Sequence, residues 1–81
     1  MDFGKALTAL KEGQRVYRHG WNGVGMWIEA QFPDENSKMT HPYLYIEYPP
    51  NPEHHAYPDG SRIPWFASQT DMLSEDWEIL V

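Results

Sequence analysis

Arg15 and Arg18 stand just ahead of a glycine-rich run, Gly20-Trp21-Asn22-Gly23-Val24-Gly25, and a further indole, Trp65, follows much later in the chain. A guanidinium can hold a phosphate through two parallel hydrogen bonds, and an indole offers a face on which a nucleobase stacks. Backbone N–H groups of a tight glycine turn can also cradle an anion. These residue types together suit a small phosphorylated aromatic ligand. The competing reading packs Trp21 under a hairpin tip and leaves both arginines in solvent, and residue types alone weigh the two about equally. The run is not a P-loop, because the Walker lysine and its Ser/Thr are absent and the flanking pattern is a hairpin rather than βαβ.

Other constellations point to chemistry less well. Asp71, Glu75, Asp76 and Glu78 form an acidic cluster with the composition of a carboxylate pair or divalent-cation site, yet such clusters are mostly solvated turn charges. Asp71 differs because it follows Ser68-Gln69-Thr70, whose side chains favour local backbone bonds. It reads first as a structural carboxylate and second as an acceptor for a ligand hydroxyl. His41, His54 and His55 with Glu53 lack the spacing of a zinc site. Ser68 has no elbow glycines around it, so no nucleophilic triad is expected. The expectation is binding without catalysis, metal or cofactor.

The elements that must position these groups are legible. Phe3, Ala6, Leu7 and Leu10 make one helical stripe, with Asp2 to cap its start and Gly13 beyond its end, predicting a helix over about residues 2–11. Residues 14–18 alternate as a short strand with Val16 inward, and residues 26–32 as a second with Met26, Ile28 and Ala30 on one face. The glycine run between them makes a hairpin tip. Residues 33–42 read as a loop, and Tyr43–Tyr48 as a third strand with Leu44 and Ile46 inward and the tyrosines outward. The prolines at 49, 50 and 52 end that strand. A Pro- and His-rich excursion runs to Gly60. Residues 62–65 predict an edge segment, since Pro64 cannot donate to a ladder. Residues 68–71 read as a polar turn, and Trp77–Val81 as a terminal strand suited to a buried position. The predicted fold is α+β: one N-terminal helix on a four- to five-stranded antiparallel sheet, as a single domain over residues 1–81.

Charge restricts the partners. Residues 1–20 carry Lys5, Lys11, Arg15 and Arg18 against Asp2 and Glu12, whereas residues 21–81 carry Lys38 and Arg62 against ten carboxylates, for a total of −6. Such an acidic chain is unsuited to long nucleic acid or to an anionic membrane. A small anionic ligand at the basic head segment stays open. The chain has no cysteine, which excludes disulfides, thiolate zinc sites and cysteine nucleophiles and fits a reducing cytosol. No secretory h-region and no apolar stretch of membrane-spanning length is apparent. Aromatic residues make up 15% of only 81 residues, so the chain should fold, and its thin core points to oligomerisation or to a stacking site.

The run Arg18-His19-Gly20-Trp21-Asn22-Gly23-Val24-Gly25-Met26 resembles the R-x-GWNG-x-GM signature of a small phage and prophage family. Residues 64–78, Pro-Trp-Phe-Ala-Ser-Gln-Thr-Asp-Met-Leu-Ser-Glu-Asp-Trp-Glu, resemble its second signature, PW-x-ASQTDMLAEDWE. The opening helix, through Lys11-Glu12-Gly13, is also similar. The family is the second Thoeris anti-defence family. The resemblance implies a non-enzymatic sponge that captures the cyclic ADP-ribose isomer of Thoeris defence, and in some members cyclic dinucleotides, before they reach an effector. It implies a homo-oligomer, a tetramer, with pockets between subunits, acting in the cytoplasm of the infected bacterial host. Residues 33–60 depart from longer members. Carried onto this sequence, the pocket candidates are Trp21, Asn22, Trp65 and Asp71. Arg15 or Arg18 would neutralise phosphate, and Phe3 would join Trp21 and Trp65 in stacking. Rival readings are an acidic inhibitor that binds a host defence protein directly, a nucleotide-processing enzyme, and a structural phage domain.

Overall fold

A computed structural model of the chain describes residues 1–21, 25–49 and 60–81. Helix α1 (Phe3–Lys11) begins where Asp2 accepts a hydrogen bond from the Lys5 amide at 2.8 Å, and Gly13 follows its end with φ +86°. Lys11 lies in its last turn, where a cation complements the helix dipole. Strands β1 (Arg15–Arg18), β2 (Trp27–Gln31), β3 (Tyr43–Glu47), β4 (Arg62–Pro64) and β5 (Trp77–Leu80) form one sheet in the order β4-β3-β2-β1-β5. Every pairing is antiparallel. The α+β expectation is met, with five strands.

Register explains the core. Val16 pairs with Ile28, Ile28 with Ile46, Ile46 with Ile63, and Val16 with Ile79, so a row of β-branched residues crosses all five strands on one face. Helix α1 lies on that face, where Ala6, Ala9 and Leu10 are buried against Val16, Ile28, Ile46 and Trp77. Small alanines let the helix approach the sheet closely, and Leu10 fills the space beside them. Alternation sends Arg15, Tyr17, Trp27, Glu29, Tyr45, Glu47 and Glu78 to the other face, which no helix among the described residues covers.

Three expectations are corrected. Tyr48 does not turn outward with Tyr43 and Tyr45; it follows β3 and packs against the core cluster, on the side that alternation gives to Leu44 and Ile46. Residues 68–71 do not form a simple turn; they open a short helix, α2 (Gln69–Leu73). The cause is a capping box: Ser68 accepts from the Asp71 amide at 3.0 Å, and the Asp71 carboxylate accepts from the Ser68 amide at 2.9 Å. Strand β5 lies at a sheet edge, not in its interior. Only Trp77 is buried there, while Glu78 and Ile79 are exposed. Met1 covers part of this edge, accepting from the Trp77 amide at 3.2 Å and donating from its ammonium to the Trp77 carbonyl at 2.9 Å. Blunting an edge in this way limits pairing with other strands.

Candidate functional site

The end of β1 meets the start of β5 in the pair Arg18–Trp77, and one step beyond, the His19 amide donates to the Asp76 carbonyl at 2.9 Å. This extension carries the Asp76 side chain alongside the exit of β1. Its Oδ1 accepts from Arg18 Nε at 2.9 Å, and its Oδ2 accepts from the Gly20 amide at 2.9 Å. A methyl group on Gly20 would sit 2.7 Å from Asp76 Oδ2, so the carboxylate can reach the backbone only because residue 20 has no side chain.

Arg18 grips a second carboxylate. Its Nη1 donates to Asp71 Oδ1 at 2.8 Å, and the Trp21 indole Nε1 donates to the same oxygen at 3.4 Å. Asp71 is held from both ends, since its own carbonyl accepts from Trp77 Nε1 at 2.9 Å. Helix α2 is therefore a bracket: its capping box fixes the Asp71 backbone and turns the carboxylate toward β1. Burial pushes the Asp71 carboxyl up, but hydrogen bonds from Ser68, Arg18 and Trp21 outweigh that and hold it below its ordinary value of 3.8. The Arg18 hydrogen bond likewise holds Asp76 below 3.8, against a smaller opposing effect of burial. Bonds to Asp76 and then Asp71 raise Arg18 in turn.

Above this clasp lies an aromatic cluster built around Trp77. Phe3 lies 5.4 Å from it between ring centroids, Trp21 5.5 Å and Trp65 6.0 Å, the two indoles both edge-on. Trp65 also approaches Phe3 at 6.3 Å and Trp21 at 6.5 Å. Trp77 is fully buried, whereas Phe3, Trp21 and Trp65 are half-buried and keep part of their rings at the surface. Beside Trp65 opens a groove of about 340 Å³ lined by Met39, Tyr43, Leu44, Pro64, Trp65 and Phe66. Phe66 is 91% exposed, a large apolar side chain without cover in the single chain.

The structure thus brings together Phe3, Arg18, Trp21, Trp65 and Asp71. It separates Arg15, which lies on the opposite face of β1 with its guanidinium 5.4 Å above the Trp27 ring. Two arginines three residues apart on a strand face opposite ways, so one pocket of one chain cannot hold both. Asn22 lies outside the described residues, as do His54, His55 and Glu53. The acidic cluster disperses as well. Asp71 and Asp76 grip Arg18, while Glu78 is on the other face, hydrogen-bonded to Tyr17 and raising that phenol's pKa. Among the described residues no group of His, Cys, Asp or Glu is arranged to hold a metal ion, and no helix is long and apolar enough to cross a membrane.

Sequence reasoning missed Asp76 and Trp77 as members of this site. Ser68-x-x-Asp71 is a capping-box pattern that would have revealed α2, and α2 would have pointed Asp71 at a cation. The Trp77 role follows only from the pairing of β5 with β1, which no local pattern encodes.

Comparison with known proteins gives the family. The family model for the Thoeris anti-defense 2-like domain matches residues 1–80. A curated protein named Thoeris anti-defense 2, from Bacillus phage SP01, is 33% identical over 93 aligned positions, covering 99% of this chain and 94% of that protein. The aligned span exceeds the 81 residues available here, so the relative carries insertions that this chain lacks. Both signature runs, with Gly20, Trp21, Asp71 and Asp76 at the centre of one hydrogen-bonded network, fall inside the matched region, and the chain belongs to the Thoeris anti-defense 2-like family, with a function in Thoeris anti-defence.

Proposed function

We propose that the protein is a non-enzymatic sponge that binds a cyclic nucleotide immune signal, foremost the cyclic ADP-ribose isomer of Thoeris defence, and withholds it from the effector. The observation that carries this reading is the aromatic cluster. Trp21 and Trp65 keep ring surface exposed while Trp77 supports them from behind, an arrangement suited to stacking on a base. Asn22 and the Gly20 turn would read ribose or base edges, and Phe3 would close the aromatic wall. Asp71 and Arg18 contribute by holding Trp21 in place, and Arg18 keeps N–H groups for a phosphate beyond those the two carboxylates use.

Sequestration needs tight binding without turnover. The test is to mix purified protein with the cyclic ADP-ribose isomer, remove unbound nucleotide, denature by heat and assay what is released. Unaltered signal that again activates a Thoeris effector is the expected result. Recovery of a cleaved or modified nucleotide would replace the sponge with an enzyme, and absence of any retained nucleotide would leave direct binding of a host protein as the better account. Cyclic dinucleotides run in parallel address the breadth of the site.

The same reading includes a homo-oligomer, a tetramer by resemblance, in the cytoplasm of the infected host. Support comes from Phe66 and from Leu73, 81% exposed, whose apolar surface a second copy would cover. In such an assembly Arg15, turned away from Trp21 in its own chain, would reach a nucleotide phosphate only in a neighbouring copy's pocket. Light scattering should give a mass well above 9.5 kDa at micromolar concentration.

A further inference from the structure

We propose that Asp76 is a positioning residue of the nucleotide site, tethering the Gly20–Trp21 turn to Arg18 so that the Trp21 ring is set in place before ligand arrives. The inference rests on the sponge reading for what the ring does and on geometry for what Asp76 does. Asp76 begins where the β1–β5 ladder ends, fixed by the His19 amide on its carbonyl. Its carboxylate joins both ends of one short segment: Oδ1 accepts from Arg18 Nε, and Oδ2 accepts from the Gly20 amide at 2.9 Å and from Arg18 Nη2 at 3.5 Å. Residues 18 to 20 are thereby held as a unit. The Trp21 amide then donates to the Arg18 carbonyl at 3.2 Å, and the Trp21 indole reaches Asp71 Oδ1, the oxygen that Arg18 also holds. A continuous chain of bonds runs from Asp76 through Arg18 and Asp71 to the indole.

Asp76 itself is only partly buried, with 31% of its side chain exposed, and its carboxylate is bonded to Arg18 and to the Gly20 amide. Its two oxygens act as acceptors for protein groups. A ligand that stacks on a ring already fixed loses less freedom on binding than one that must first order it. Asp76 therefore acts on affinity through Trp21, without touching the nucleotide. Gly20 is the complementary half of the device, since any side chain there would displace the carboxylate.

The experiment compares Asp76→Ala, Asp76→Asn and Leu7→Ala with the unaltered protein. It combines calorimetric affinity for the cyclic ADP-ribose isomer, thermal melting, and the NMR resonance of the Trp21 indole N–H without ligand. Leu7 packs against the core away from the turn and serves as a destabilised control. Asp76→Ala should weaken binding about tenfold or more and shift the Trp21 resonance. Asp76→Asn keeps one acceptor oxygen, enough for the Gly20 amide or for Arg18 but not for both. It should fall between Asp76→Ala and the unaltered protein in affinity and in the Trp21 resonance; a loss no smaller than that of Asp76→Ala would count against the tether. Leu7→Ala should lower the melting temperature at least as far, with affinity kept within about twofold. Unaltered affinity in Asp76→Ala, an unmoved indole resonance, or an equal loss in Leu7→Ala would each overturn the positioning role. Failure of the unaltered protein to bind the nucleotide would instead refute the sponge reading and the proposal with it, a result distinct from the others.

Discussion

The two faces of the sheet each carry a tryptophan and an arginine, and they use them differently. Under α1, Trp77 is 1% exposed, its indole N–H is taken by the Asp71 carbonyl, and Arg18 is gripped by two carboxylates. On the open face, Trp27 lies beneath Arg15, its indole N–H is shielded from solvent, and it has no acceptor among the described residues. The pairs look alike in sequence. One is a network in which the Trp77 N–H, the Arg18 guanidinium and both carboxylates have partners, and the other is a stack over a donor left unmatched among the described residues. Matching, not composition, distinguishes the two faces, and the matched face carries the proposed stacking rings.

The contrast is broken most severely by removing the larger side chains. Trp77→Ala opens a cavity beneath three aromatic rings and removes the donor to Asp71, which should cost about 3–5 kcal/mol, a large share of what a domain of this size possesses. Chemical denaturation should find it largely unfolded or close to it. Trp27→Ala, on a face already half open to water, should lower the denaturation midpoint far less. Equal losses would mean that the open face is as much core as the covered one.

Arginine substitutions give the next largest difference. Arg18→Met leaves Asp71 and Asp76 facing each other without their shared cation, and the melting temperature should fall by about 10 °C. Arg15→Met removes a cation above an indole and should change it by no more than about 2 °C. Differential scanning calorimetry on both variants decides the matter. A fall for Arg15→Met comparable to that for Arg18→Met would put the open face under the same constraint.

Those two arginines also mark how far the sequence could be read. The helix stripe, the antiparallel pairing of β1 with β2, the inward Val16, Ile28 and Ile46, and the edge position of Pro64 follow from local periodicity and chain geometry and appear where they were expected. Residues 22–24 of the expected glycine tip and the Pro- and His-rich run at 50–59 lie outside the described residues. Strand alternation alone would have put Arg15 and Arg18 on opposite faces, yet a shared pocket for both rested on their nearness along the chain. The partners of Arg18 were not legible, because Asp71 and Asp76 lie 53 and 58 residues away and come to it only through β5 and α2. Asp71 could be read as a backbone-bonding carboxylate from Ser68 and Thr70, but its second task depends on which strand α2 packs near. Trp21 and Trp65 were legible as aromatic candidates, while Trp77, the ring that holds them, looked like any strand residue.

Acid should act on the covered face through the Arg18 clasp. Asp71 and Asp76 have pKa values below 3.8 in the folded protein and ordinary values when unfolded. A carboxylate with a depressed folded pKa adds stability above its unfolded pKa, and that stability is lost as pH falls through the folded value. The denaturation midpoint should therefore be level from pH 7 to about 5 and decline below about pH 4. Arg18→Met lacks the main cause of the Asp76 depression and should show a shallower acid limb, whereas Arg15→Met should follow the unaltered protein. Parallel limbs in all three would remove the Arg18 clasp from the account of acid stability.

The smallest effect tests the open face most directly. Trp27→Phe deletes the shielded indole N–H while keeping an aromatic ring beneath Arg15. Losing ring area at a half-buried position costs stability, but removing a donor that has no acceptor restores some of it, since an unmatched buried N–H carries a penalty of about 1–3 kcal/mol. These opposing changes should nearly cancel, leaving the melting temperature within about 3 °C of the unaltered protein. Trp77→Phe has no such compensation, because there the N–H is satisfied and its loss strands the Asp71 carbonyl. If Trp27→Phe instead fell as far as Trp77→Phe, the Trp27 N–H would have a matched partner in solution, and the difference between the two faces would reduce to burial.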